Sequence, residues 1–168
     1  EPLVTELGAT ALPAKESLDR FLKDKWPIPK YAEDWEYHRL QLPEARNAWG
    51  DLEKQTPEQL ISKSQDYVSR LFQVALERVR RRKAEGAGGI FHFFAIDFWP
   101  SVTMAAIDFY RVPTKVVDTV GRSFAPVAAL FDYDRDEWKT GEQVKVGLWA
   151  VNDTYRSYPG ARVNWRIE

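Results

Sequence analysis

Cysteine is absent from this 168-residue chain, and histidine occurs only twice. The first absence excludes disulfides and thiolate metal sites and leaves the redox compartment unindicated. Together the two leave no ligand cluster for a metal. Charge of one sign is also missing. With 24 Lys and Arg against 25 Asp and Glu, the net charge is -1, which argues against general attraction to nucleic acid or to an acidic membrane surface. No apolar run approaches the roughly 20 residues needed to span a bilayer. The chain opens on Glu1-Pro2 rather than Met and carries no signal-peptide pattern, which reads as a processed or excised segment.

Apolar and aromatic residues are plentiful: 44% of the chain is hydrophobic and 14% aromatic, with seven Trp. Such a composition can bury a substantial core and does not read as disordered. The central stretch begins with a compact apolar run, Ile90 to Ile96, bounded by Gly88-Gly89 and by Asp97 with Trp99-Pro100. A run of this length between Gly and Pro predicts a strand buried on both faces, as in a parallel sheet. Ligands sit at the carboxyl ends of such strands, so Asp97 and Trp99 become candidates for a site.

Leu3 to Gly8 fits the end of another buried strand, delivering Glu6 to its carboxyl end. Ala14 to Leu22 reads as a short helix. Lys25 to Gln55 is rich in Pro and Trp and lacks a clean period; its Trp26, Trp35 and Trp49 predict a packed cover over a site. Thr56-Pro57-Glu58-Gln59 then opens a helix, with Thr56 as N-cap, Pro57 at the first helical position and Gln59 completing a capping box. Leu60, Ser64, Tyr67, Leu71, Val74 and Arg78 follow on one stripe, widened by Ile61, Val68, Phe72, Ala75 and Val79, to a stop near Gly86. Pro113 starts a further helix with Val116, Val117, Val120 and Phe124 inward. Beyond Pro126, Val127–Tyr133, Gln143–Val151 and Ala161–Ile167 read as strands. Three strands do not close a sandwich and two strand–helix units do not close a barrel, so both ends read as cut through folded domains.

An ordered set of motifs carries a resemblance: TELG (5–8), WEYHR (35–39), AIDFWP (95–100), AAIDFYRVPTK (105–115), RSFAPV (122–127) and LWAVNDT (148–154). Together they resemble glycoside hydrolase family 2, on its β-mannosidase and exo-β-glucosaminidase side, over nearly the whole chain. The resemblance implies an α/β fold. Residues 1–125 would be the last strand–helix units of a TIM (β/α)8 barrel, and residues 126–168 the first strands of an incomplete immunoglobulin-like β-sandwich. It implies a retaining exo-β-glycosidase working without a cofactor on a carbohydrate substrate, with the rest of its own barrel and sandwich as partners and no nucleic acid or membrane. Glu6 matches the nucleophile at the end of the seventh strand, while the acid/base would lie upstream. Phe93, Asp97, Trp99 and His38 would line the terminal-sugar pocket. The family pattern has Trp-Gln and then Asn-Asp before Trp-Pro; here Phe93-Phe94 and Ile96-Asp97 stand instead, removing two polar partners.

Read from the residues alone, Glu6 could be a solvated strand-end carboxylate. Asp97 could cap the Trp99-Pro100 turn or pair with a buried Arg, and His38 could be a packed loop histidine. The basic run Arg78, Arg80, Arg81, Arg82 and Lys83 reads as a solvated face that complements the helix dipole rather than as a phosphate site. Asn152-Asp153-Thr154 also forms a glycosylation sequon. Two other functions compete with the enzyme. One is a catalytically silent carbohydrate-binding or scaffold segment of the same fold, motivated by Phe93, Phe94 and Ile96. The other is an independent interaction module, which requires the chain to fold alone.

Overall fold

The computed structural model describes residues 3–29, 32–133, 135 and 137–166. Its elements are a mixture of helices and small sheets. In chain order they are β1 (Leu3–Leu7), α1 (Lys15–Leu18), α2 (Glu33–Tyr37), α3 (Leu42–Trp49), α4 (Pro57–Arg81), β2 (Gly89–His92), α5 (Val116–Ser123), β3 (Val127–Asp132) and β4 (Gly147–Asn152). No helix among the described residues is long and apolar enough to cross a membrane.

The 25-residue α4 starts as the local chemistry dictates. The Thr56 hydroxyl accepts from the Gln59 amide at 3.3 Å, and the Gln59 side chain accepts from the Thr56 amide at 2.9 Å. Its buried row is Leu60, Ser64, Val68, Phe72, Leu76 and Arg80, with Gln65 beside it. These six lie four residues apart, so they form one i±4 ridge, which drifts around the helix as it advances. Tyr67 and Val74, expected on the buried stripe, fall off the ridge and are each 44% exposed.

β1 and β2 pair in parallel, with Val4 opposite Ile90 and Leu7 opposite His92. Three steps on β1 thus match two on β2, which is a bulge. Val4, Leu7 and Ile90 all pack with Val68, Phe72 and Leu76 of α4. The two bulge residues, Thr5 and Glu6, are exposed. The apolar run is not covered on both faces as expected. Only Gly89–His92 is regular strand, and Phe91 and Ile96 are 60% and 45% exposed. α4 supplies a layer on one side, and among the described residues no element covers the other.

The Trp-rich segment holds two helices that its sequence did not signal, α2 and α3. At five and eight residues they are too short to show a helical period. The segment is packed rather than a free linker, as expected. Trp35 and Trp49 are each 1% exposed in a core with Leu12, Leu18 and Leu60, and the Trp35 indole donates to the Lys25 carbonyl at 3.1 Å. The first helix is shorter than expected, α1 covering only Lys15–Leu18. α5 begins three residues after Pro113, which instead bridges to Ile107; Phe124 is 43% exposed rather than inward.

β3 and β4 form an antiparallel pair from Val127 opposite Asn152 to Asp132 opposite Gly147. The third expected strand is not formed over the described residues 161–166. Val144, Val146 and Leu148 share one face, are each just over 40% exposed, and line a cavity of about 740 Å³ with Phe131, Trp138 and Trp165.

The basic run at the end of α4 departs most from expectation. Arg78, Arg82 and Lys83 are exposed as expected, but Arg80 and Arg81 are not part of a solvated face. Arg80, 8% exposed, donates to the carbonyls of Ser123 and Ala125 and to the Asp153 carboxylate, the last at 2.8 Å. Arg81 reaches the Phe131 carbonyl and Asp132, both at 2.9 Å, and Lys83 reaches Asp153 at 2.6 Å. The helix end is a clamp on the β3–β4 pair. The reason is the ridge: one more step of four beyond Leu76 lands on Arg80, inside the contact.

Candidate functional site

The carboxyl ends of β1 and β2 point the same way because the strands are parallel. The Phe93 amide donates to the Leu7 carbonyl at 2.9 Å, which holds Glu6 and Phe93 on neighbouring strand ends. Gly8 makes this approach possible, since a Cβ there would lie 2.8 Å from the Phe93 carbonyl oxygen. The bulge then turns the Glu6 side chain away from the α4 layer, a common use of bulges beside functional sites. Among the described residues the Glu6 carboxylate has no hydrogen-bond or ion-pair partner.

From Phe93 a chain of ring contacts leads outward. Phe93 and Phe94 lie 4.2 Å apart between ring centroids, and Phe94 and Phe98 lie 5.4 Å apart. The Arg39 guanidinium sits over Phe98 at 4.9 Å and over Trp99 at 5.5 Å. Trp99 stacks on His38 at 5.5 Å with 23° between the planes, and His38 meets Phe21 at 4.6 Å. His38 Nδ1 lies 2.8 Å from the Pro100 carbonyl. A carbonyl only accepts, so Nδ1 carries the proton. The His38 carbonyl in turn accepts from the Val102 amide at 2.7 Å. The WEYHR segment is therefore pinned on residues 99–102, which brings His38 and Trp99 into direct contact.

Asp97 is 2% exposed and lies beneath this surface. One carboxylate oxygen accepts from the Phe98 amide at 3.1 Å and the other from the Ser101 hydroxyl at 2.8 Å. That geometry is the turn-capping role: the carboxylate holds the turn that presents Trp99. His92 lies on the opposite side of β2, edge-on to Phe72 at 4.5 Å. Burial pushes its pKa down, only partly offset by its contact with the Met104 carbonyl. Among the described residues no group of three or more His, Cys, Asp or Glu could hold a metal.

Sequence reasoning missed Arg39, Phe98 and Phe21. Arg39 stood inside a motif already singled out, but its backbone φ of +70° and its ring contacts follow from the tertiary fold.

No protein-family model and no curated protein sequence matches the chain. Among solved structures it is similar to a β-D-mannosidase from Dictyoglomus thermophilum, with a TM-score of 0.70 and 20% sequence identity. The chain shares the fold of a β-mannosidase segment. The match covers 90% of this chain and 18% of that one. At this identity the likeness speaks to fold, and it agrees with the mixed α/β architecture.

Proposed function

We propose that this chain is a segment of a retaining exo-β-glycosidase that hydrolyses terminal β-glycosides of the β-mannoside or β-glucosaminide class. In this reading residues 1–125 are the closing strand–helix units of a (β/α)8 barrel. Residues 126–168 open an immunoglobulin-like sandwich whose exposed apolar face belongs against further strands. Glu6 attacks the anomeric carbon and forms a glycosyl ester. A second carboxylate, roughly 5 to 5.5 Å away, protonates the leaving oxygen and then takes a proton from the water that breaks the ester. That second group lies upstream in this reading, so the segment by itself would not turn over. Phe93 offers an aromatic face to the sugar, with His38 and Trp99 as an outer wall. Asp97 acts through the turn it holds.

One observation carries the reading. Glu6 is exposed and unpaired, in a bulge at the carboxyl end of a parallel strand beside Phe93, in a chain with the fold of a β-mannosidase segment. The test is labelling of the intact enzyme of which this chain is the proposed segment with 2-deoxy-2-fluoro-β-mannosyl fluoride or its glucosyl counterpart, followed by peptide mapping. Glu6 should carry the label, and Glu6→Gln should lose it. A label on another carboxylate removes Glu6 from the role.

A second reading has its own support. Phe94 and Ile96 stand where the resembling family has polar residues, and Ile96 is 45% exposed. A catalytically silent carbohydrate-binding segment would bind the same sugars and take no covalent label.

A further inference from the structure

Arginines on a protein surface ordinarily face carboxylates. Arg39 and Arg20 do not. Arg39 is half-buried and lies over Phe98 and Trp99, while Arg20 lies over Tyr110 at 4.5 Å. Among the described residues neither guanidinium makes a side-chain hydrogen bond or an ion pair. In a chain whose overall charge is -1, two unpaired cations are thus gathered on one aromatic surface. Tyr110, Phe21, His38 and Trp99 connect them in sequence, the Phe21 and Tyr110 centroids lying 6.5 Å apart. Arg39 also holds a left-handed backbone, φ +70°, which a non-glycine residue adopts at a cost.

A guanidinium stacked on a ring keeps its edge free, and five fixed N–H donors along that edge match a planar or tetrahedral oxyanion. Arg39 is connected to Phe93 through ring steps of 4.2, 5.4 and 4.9 Å. The steps place Arg39 outward from Phe93 on one continuous aromatic surface, along which the adjoining part of a longer ligand would run. An amine there would be repelled.

We propose that Arg39, supported by Arg20, binds an anionic group on the unit next to the terminal sugar, so that the preferred ligand is an acidic saccharide bearing a carboxylate or a sulfate ester. The inference rests on the glycosidase reading of the same site and adds the charge of the ligand to it.

The test uses the intact enzyme of which this chain is the proposed segment and three thio-linked β-mannosyl disaccharides, which resist hydrolysis. Their second residue is glucose, glucuronic acid or glucose 6-sulfate. Titration calorimetry should find at least one acidic probe bound tenfold or more tightly than the neutral one, with the preference shrinking as salt rises. The carboxylate and sulfate arms tell the two sources apart. Arg39→Met should lower the acid-to-neutral affinity ratio by about 10- to 100-fold, the range for hydrogen bonds to a charged group. Arg39→Lys should restore part of it. Equal affinity for all three probes, or an unchanged ratio in Arg39→Met, overturns the proposal. So does an equal loss on all three, which marks a packing role. If the neutral probe binds and the acidic ones gain nothing, the glycosidase reading survives without this addition; if none binds, both fall.

Discussion

Arg80→Met tests whether the end of α4 clamps the β3–β4 pair. The side chain is 7% exposed and supplies three charge-assisted bonds, to the Ser123 and Ala125 carbonyls and to Asp153. Hydrogen bonds to charged groups contribute about 1.5–3 kcal/mol each, against a cost of several kcal/mol for burying the ion. Met keeps the apolar stem and leaves two carbonyls without donors. Asp153 is 35% exposed and keeps Lys83 at 2.6 Å, so it is not stranded. The net loss should be about 2–4 kcal/mol, read as a shift of the urea midpoint followed by Trp fluorescence. Asp153→Asn should cost only about 1 kcal/mol, because it leaves Arg80 its two carbonyls and removes a largely solvated partner. The double variant should then cost less than the sum. Lys83, followed by Arg80, holds the Asp153 carboxyl below the usual carboxylate range. Its contribution is therefore present above the unfolded value of about 3.9 and lost as pH falls through the lower folded value. A midpoint unchanged in Arg80→Met, or an Asp153→Asn as damaging as Arg80→Met, would refute the clamp.

Gly8→Ala should force the two strand ends apart, since the new Cβ meets a backbone oxygen at 2.8 Å. A loss of about 1–3 kcal/mol is expected, together with weaker sugar binding in calorimetry. Because burial lowers the His92 pKa, the unfolded chain takes up its proton first. Stability should hold above about pH 6.5 and decline as pH falls from there toward the folded value, and His92→Phe should flatten that slope in pH-dependent urea melts. Thr56→Ala removes one half of the capping box and should lower stability by about 1 kcal/mol, seen in the same melts.

Local rules made α4 legible, because Thr56, Pro57 and Gln59 each specify its start without help from elsewhere. Its exit was not. The sequence offers several stripes of similar hydrophobicity, and choosing the one through Leu60, Val68, Phe72 and Leu76 requires knowing what packs on it. Only that choice shows Arg80 to be inside a contact and Arg78 outside. Likewise α2 and α3 are built around Trp35 and Trp49, whose burial is tertiary. Five- and eight-residue helices leave too few turns for a period to be seen.

At the site, residue types were legible and their neighbours were not. Glu6 could be assigned to a strand end, yet a regular strand pairing Val4 with Ile90 would put Leu7 on the exposed face and turn Glu6 toward α4. The bulge between Val4 and Leu7 reverses this, and nothing in LVTEL announces it. Asp97 shows the opposite case. Its acid was visible beside Trp99 and invited a substrate role, but both its oxygens are engaged by Phe98 and Ser101 within the turn. The charge lying on the rings at this surface is Arg39, which makes no side-chain hydrogen bond or ion pair among the described residues. Absence of a partner is a property of three-dimensional neighbourhoods. Sequence alone could supply the arginine and the rings beneath it, but not the unpaired edge, among the described residues, on which the proposed anion site rests.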